Sequence, residues 1–458
     1  MKISREFPMP YRMVGLVTRL GAILLLLGAS QAMAADGVTA VSARDFLDSI
    51  GMCTHVGQGI DDPSQSAAAL AYAGVRNIRD DGNPGRVADW ISMHKKAGIR
   101  VVLVHSGPKD DSIASLIDSS KKLAAAGALL AMEGPNEPNN FGATYQGQKS
   151  AATTTFMPVA HWQKEFYSQV KSDPVLKDYS VFHSSEAGGS EPDNVGLQFL
   201  TIPAGAGTLM PDGTKYADYA NVHNYICRKP AIIDNMAWEN ADPLFRDWPD
   251  GMNVEYGKTW RKGFAGYSNA DLATLPRVTT ETGWVTGGKN GLTEEQQGRL
   301  YLNLYLAQFK QGYKYTFIYM LRDAGGSDAG YGIVTSDYKP KRSATYLHNL
   351  TMILADDGVA KPGELDYKIA KQPPTVHDLL LRKRDGTFEL VVWSELASGT
   401  SDITVDFGRE LNNTINLAGP QTVKVYDPTT GILPTQTLIR GAPISLTLSD
   451  HPVVIEMP

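Results

Sequence analysis

The chain has 458 residues, of which 42% are hydrophobic and 20% charged, with 44 glycines and 26 prolines. That composition excludes a disordered or collagen-like polymer and supports a large packed core. The formal net charge is −6, and no basic run exists to neutralise phosphates, so nucleic acid is excluded as the partner.

At the start, Lys2, Arg5, Arg12 and Arg19 precede an apolar run over 21–29, followed by Ala32, Met33 and Ala34. A basic leader, a short apolar stretch and a small-x-small site mark a secretory signal peptide. The run is shorter than the ~20 residues of a bilayer-spanning helix, and no other stretch qualifies. Residues 1–34 are therefore expected to be removed. The mature chain is expected to be an exported, acidic monomer of the periplasm or cell exterior, without membrane contact after cleavage. Cys53 and Cys227 are too few for a disulfide scaffold. They allow one bridge or two buried thiols, and the reading leans to thiols.

From residue 48 to about 350, short apolar runs alternate with amphipathic stretches. Strands are predicted over 50–56, 75–79, 99–105, 129–133, 179–183, 219–225, 277–281 and 315–321. Helices are predicted over 64–73, 86–97, 112–126, 159–172, 293–312 and 341–354. The stretch after strand five is loop-rich, with 195–200 as its helical candidate. Eight strand-then-helix units predict an α/β fold, a (β/α)8 TIM barrel over 35–354, with a doubly wound open sheet as the alternative. After about 355 the helical period is lost. Strands over 375–383, 387–394, 402–407, 422–426, 444–448 and 453–457, with a turn at Asp385 and Gly386, predict an all-β sandwich over 355–458 packed on the barrel.

No C-x-x-C, H-E-x-x-H, P-loop or G-x-S-x-G pattern occurs, so neither a metal nor a cofactor is expected. In a (β/α)8 barrel the reacting groups lie at the C-terminal strand ends. Those ends carry His55, Arg79, His105, Asn136, Glu137, His223, Tyr225, Glu281 and Arg322. Glu137 and Glu281 are carboxylates on strands four and seven. Such a pair facing across a pocket can cleave a glycosidic bond. One protonates the leaving oxygen, and the other attacks the anomeric carbon or activates water. Glu133 reads as a structural or sugar-binding group.

Asn136, Glu137 and Pro138 after strand four, with Glu281 ending strand seven before Gly283 and Trp284, resemble the clan A retaining glycoside hydrolases. Families 5, 30 and 39 are the nearest in pattern, and the resemblance runs over most of 48–352. It implies that Glu137 is the general acid/base and Glu281 the nucleophile. Asn136 would contact the sugar 2-hydroxyl, and Tyr225, in a His-x-Tyr arrangement with His223, would hydrogen-bond the nucleophile. Arg79 would hold Glu281 ionised, while His223, Trp284 and His55 are expected among the sugar contacts. The two roles imply a protonated Glu137 and a charged Glu281. One departure stands out: strand eight ends in Tyr319, Met320 and Leu321, where many members place a Trp beneath the sugar.

Together these readings predict an exported β-glycosidase acting with retention on a polysaccharide, without a cofactor. A transglycosylase using the same site, or a non-catalytic carbohydrate-binding barrel, is the alternative. Between strands six and seven lie Trp238, Phe245, Trp248, Tyr256, Trp260, Phe264 and Tyr267. They either wall a cleft for several sugar units or pack as a satellite core. Endo action is expected on the first of these alternatives.

Overall fold

The computed structural model of the chain describes residues 37–109, 111–186, 191–226, 233–245, 259–288, 291–397, 399–410, 422–439 and 443–458. The expected signal peptide, Cys227, Trp248 and Tyr256 lie outside these residues. Among the described residues, no helix is long and apolar enough to cross a membrane.

Eight parallel strands form the barrel: β1 (Ile50–Cys53), β2 (Asn77–Asp81), β3 (Arg100–Ser106), β4 (Leu129–Asn136), β5 (Ser180–Phe182), β6 (Ala220–Asn221), β7 (Arg277–Thr282) and β8 (Tyr313–Ile318). Their order is β6-β7-β8-β1-β2-β3-β4-β5. Parallel bridges between Phe182 and Tyr219, and between Glu186 and Val222, join β5 to β6 and close the ring. β4 and β7 are buried along their whole length, as strands covered on both faces must be.

The outer helices begin and end where local chemistry allows. Before the helix Pro63–Ala73, the Asp62 side chain accepts from the Gln65 N–H, and Pro63 takes the first turn. Thr293 and Gln296 form a reciprocal cap at the start of Glu294–Lys310. Gly74 ends the first of these helices at φ 74°, and a Cβ there would meet Thr351 Oγ1 at 2.3 Å. Backbone conformation and close packing therefore both require glycine.

Two barrel expectations are corrected. β6 has two residues rather than the 219–225 run, because the Asn224 carbonyl accepts from Thr282 Oγ1 at 3.0 Å and Asn240 Nδ2 at 2.6 Å instead of from a strand ladder. Residues 195–200 form no helix. Gly196 takes φ 90°, Phe199 N–H turns back to its carbonyl, and Val195, Leu197 and Phe199 bury themselves with Phe156, Ile202 and Tyr216.

The sandwich has one four-stranded sheet, in the order Val38–Thr39, Glu364–Ala370, Ser401–Glu410, Ile444–Leu448, and one six-stranded sheet. The latter runs Gln436–Ile439, Thr422–Tyr426, Pro452–Met457, Phe388–Ser394, Val376–Arg382, Val41–Ser42. The strands at 364–370 and 436–439 are additions to those predicted. So are residues 38–42, which sit before the barrel in sequence yet pair with Leu365 and Leu381. The expected barrel segment therefore gives its first residues to the sandwich. Alternation explains how the six-stranded sheet is used. Leu380, Leu390 and Val392 face the inter-sheet core, whereas Leu379, Leu381, Val391 and Trp393 join the core of the barrel helices.

Candidate active site

Strand period places the site. Glu137 follows β4 in a left-handed conformation, φ 39° and ψ 61°, a backbone state that a non-glycine residue adopts at a cost and that recurs at functional sites. Its N–H donates to the Ser185 carbonyl at 2.7 Å, which pins the turn to the chain beyond β5. Glu281 sits near the end of β7. The ligating atoms of Glu137, His223 and Glu281 all lie within 4.8 Å of one another.

Glu281 is gripped from two sides. Arg79 Nη1 donates to Oε1 at 2.6 Å, and the Tyr225 hydroxyl donates to Oε2 at 2.7 Å. Burial first, then the charges of Glu281 and Glu137, push the Tyr225 phenol well above its ordinary value, so it stays a donor. Arg79 also forks onto Glu133, Nε to Oε2 and Nη2 to Oε1, each at 2.8 Å. Its Nη2 further donates to Asn136 Oδ1 at 2.6 Å, which leaves the Asn136 amide nitrogen for a ligand. Burial alone would pull the Arg79 guanidinium down, but Glu133 and Glu281 raise it well above its usual range. Glu133 is fully buried beneath the pocket and serves as the anchor of Arg79.

Glu137 departs from expectation. Burial pushes its carboxyl up, but His223, whose Nδ1 lies 2.7 Å from Oε1, more than offsets this, with help from Asn140 Nδ2 at 2.8 Å and from Arg79. The net direction is downward. The expected protonated Glu137 followed from its acid/base role and left out the histidine on β6's continuation. His223 is itself shielded from solvent and lies 3.5 Å from Glu281 Oε2 through the same nitrogen. Its Nε2 lies 3.1 Å from Thr280 Oγ1. It therefore meets the two carboxylates rather than a sugar, and acts through them. The same triad has the donor types of a divalent-metal site, but Arg79 already places a permanent cation against Glu281.

A pocket of about 280 Å³ opens over these groups, lined by residues that include His55, Arg79, Asp81, Asn136, Glu137, Tyr225, Glu281, Tyr319, Asp328 and Tyr331. Its size is at the small end of ligand pockets. Asp80 knits the β1 loop beside it, accepting from Thr54 Oγ1 and from the N–H groups of Val56 and Gly57. Burial nonetheless raises the Asp80 carboxyl to about 7. A larger hollow of about 770 Å³, lined by Arg44, Arg76, Met352 and Arg384 among others, lies at the opposite end, where residues preceding β1 and β2 gather.

The structure thus gathers His55, Arg79, Asn136, Glu137, His223, Tyr225 and Glu281. Trp284 does not join them: it is buried in the core beneath the helices, its backbone tied to Tyr301 and Gln297. His105 and Arg322 also stand off, Arg322 being paired with Asp61 at 2.8 Å. Of the aromatics expected to wall a cleft, Trp238, Trp260, Phe264 and Tyr267 pack inward. Trp238 stacks on His377 at 3.9 Å, and Trp260 meets Tyr313 and Phe264. None of them lines the pocket. Cys53 carries a free buried thiol that donates to the Thr280 carbonyl at 3.1 Å.

No protein-family model matches the chain, and no curated protein matches its sequence. Solved structures match its shape. CelM2, a bifunctional glucanase-xylanase from a metagenome library, superposes with a TM-score of 0.53 at 13% identity, over 92% of this chain and 98% of that one. A glucosidase from Croceicoccus marinus gives 0.51 at 12%, over 92% and 98%. A GH51 arabinofuranosidase from Xanthomonas axonopodis pv. citri gives 0.51 at 13%, over 92% and 97%. The fold is that of the clan A glycoside hydrolases. At the end of strand eight, where the sequence lacks the expected Trp, Tyr319 lines the pocket edge-on to Tyr331 at 5.6 Å. Tyr331, Asp81 and Asp328 were not singled out from sequence. Asp81 was within reach, standing two residues beyond Arg79 and hence on the same strand face.

Proposed function

We propose that the protein is a retaining β-glycosidase, with Glu281 as nucleophile and Glu137 as acid/base. One observation carries the reading: the carboxylate oxygens of the two residues come within 4.8 Å. Retaining enzymes hold the pair about 5–5.5 Å apart, whereas inverting ones need ~6.5–9.5 Å to admit water.

Glu281 attacks the anomeric carbon while Glu137 gives its proton to the leaving oxygen, so the glycosidic bond breaks as the glycosyl–Glu281 ester forms. Glu137 then takes a proton from water, the water oxygen bonds to the anomeric carbon, and the ester breaks. Arg79 and Tyr225 each donate to one Glu281 oxygen and so aim its carboxylate. His223 Nδ1, 2.7 Å from Glu137 Oε1, orients that carboxyl through both steps. Asn136, its carbonyl spent on Arg79, offers its amide to the sugar. Export by the leader at 1–34 belongs to the same proposal. Endo action is not carried forward, since Trp238, Trp260, Phe264 and Tyr267, on which it rested in part, pack inward.

The test is hydrolysis of a panel of aryl β-glycosides and β-glucans, xylans and mannans, with the anomer formed first read by NMR. Wild type should release the β anomer, and Glu281→Gln and Glu137→Gln should each lose at least ~10³-fold in kcat while staying folded. An α anomer formed first, or activity surviving in Glu281→Gln, would overturn the assignment. Sugar-to-sugar transfer products in place of hydrolysis would make the protein a transglycosylase on the same residues.

A further inference from the structure

We propose that Asp81 selects the sugar: with His55 it grips the glycosyl unit on the β1–β2 side of the pocket and rejects units that carry a carboxylate or sulfate. This rests on the glycosidase reading above and extends it to substrate class.

Placement comes first. Arg79 and Asp81 are two residues apart on β2, so both point into the barrel, with Asp81 one step nearer the mouth. Asp80 between them faces the other way, and its two oxygens accept from Thr54, Val56, Gly57, Trp90 and the Asp81 N–H. Asp81 has nothing comparable. Its carboxylate is half-buried, lines the pocket, and neither accepts a hydrogen bond nor pairs with a cation among the described residues.

His55, on the end of the neighbouring β1, supplies an independent sign. Its residue is 8% exposed and lines the same pocket, yet its Nδ1 is buried with no partner. The ring is held edge-on to Tyr319 at 5.6 Å, and the backbone is tied to Asp61 Oδ2 at 2.8 Å. Because Nδ1 is out of reach of solvent, a ligand meets the ring through the part that lines the pocket. A sugar hydroxyl both donates and accepts, so neighbouring hydroxyls can satisfy a carboxylate and an imidazole nitrogen together.

Charge sets the class. Asp81, Glu137, Glu281 and Asp328 all line the pocket, and among the described residues Arg79 is the only Lys or Arg in the lining. Its Nε, Nη1 and Nη2 are engaged by Glu133, Glu281 and Asn136. A uronate or sulfated sugar would enter beside these carboxylates and meet, among the described residues, no free guanidinium or ammonium. Repulsion of the wrong ligand is as effective a source of specificity as attraction of the right one.

The experiment compares matched aryl β-glucoside, xyloside, mannoside and galactoside with the corresponding glucuronide and galacturonide. Wild type, Asp81→Asn and Asp81→Ala are assayed for turnover, and binding of the same sugars to each is followed by saturation-transfer NMR. Wild type should favour neutral glycosides by at least ~100-fold, and Asp81→Ala should cost the preferred one roughly 100-fold in kcat/KM, mostly in KM. Asp81→Asn, which keeps shape and hydrogen bonding, should cost about tenfold or less and narrow the neutral-to-uronate ratio by roughly tenfold. Equal use of uronates by wild type, or an Asp81→Ala protein with unchanged KM and ratio, would overturn the proposal. If no glycoside is turned over, the glycosidase reading fails, and binding decides this one separately. Neutral sugars bound by wild type and lost in Asp81→Ala support it; uronate binding equal to neutral, or no sugar binding, sinks it.

Discussion

Two carboxylates almost out of reach of water, Glu133 beneath the barrel mouth and Glu395 in the seam with the sandwich, are held in opposite ways. Glu133 meets a charge: Arg79 forks onto both its oxygens at 2.8 Å. Glu395 meets only dipoles, the N–H groups of Ala237 at 2.8 Å and Trp238 at 3.0 Å and the Trp393 indole at 2.9 Å. Burial dominates in the second case and raises the Glu395 carboxyl to about 7 in spite of those bonds. A full cation can be shared onward, and Arg79 passes part of its field to Glu281. Dipoles cannot be passed on in that way, but they can seat a segment. Glu395 seats the short helix Met236–Ala241, whose Asn240 exchanges amide bonds with Asn224, the residue between His223 and Tyr225. The mouth uses its buried acid to hold a cation against Glu281, and the seam uses its own for docking.

The largest effect that would test this contrast is at Arg79. Arg79→Met strands two carboxylates, and about 3–5 kcal/mol of stability should go with the cation. Activity should collapse too, since Glu281 would lose one of the two donors that fix its carboxylate. Urea denaturation beside kcat/KM reads both, and Arg79→Lys should recover part of the stability but not the fork. A loss in Arg79→Met no bigger than in Glu395→Ala would break the comparison.

The seam should instead show itself as a slope with pH. A carboxyl raised from 4.5 to about 7 on folding binds its proton more tightly in the folded state. The stability it contributes is complete below about pH 4.5 and is lost as pH rises through about 7. Between pH 5 and 7.5 wild type should lose on the order of 2–3 kcal/mol relative to Glu395→Gln, which has nothing there to titrate. Parallel denaturation curves at the two pH values would show that the dipoles outweigh burial. The smallest effect is expected at Asn240→Ala, about 1 kcal/mol from the lost Nδ2 donation to the Asn224 carbonyl, which keeps Thr282 Oγ1 as a donor. Its kcat should fall several-fold with KM little changed, because Asn224 no longer holds His223 and Tyr225 in place; KM rising alone would speak for simple loosening of the pocket.

The barrel was legible because strand and helix periods differ, and eight alternations of the two leave few architectures. That Glu137 and Glu281 meet in one pocket was legible because the fold itself says where strand ends gather. What escaped was set by partners distant in sequence. Nothing near Glu137 announces that His223 will outweigh its burial. Trp284 reads as a sugar platform by position, yet Tyr301 and Gln297 draw its backbone under the helix layer. The aromatics between β6 and β7 have the composition of a cleft, and only the presence of His377 and Tyr313 decides that Trp238 and Trp260 turn inward. The strands at 38–42 are too short for any periodicity to register.

Those two short strands have a consequence for how the chain is made. Val38 is among the first described residues to be synthesised, but its partner Leu365 arrives only after the whole barrel, and Val41 waits longer still for Leu381. Contacts so far apart in sequence close late. A ribosome or a translocation channel therefore releases a barrel whose leading end is still unfastened, and the last hundred residues are what tie it off. A gene cut after the barrel would encode every reacting group and still leave its first strands with nothing to pair to.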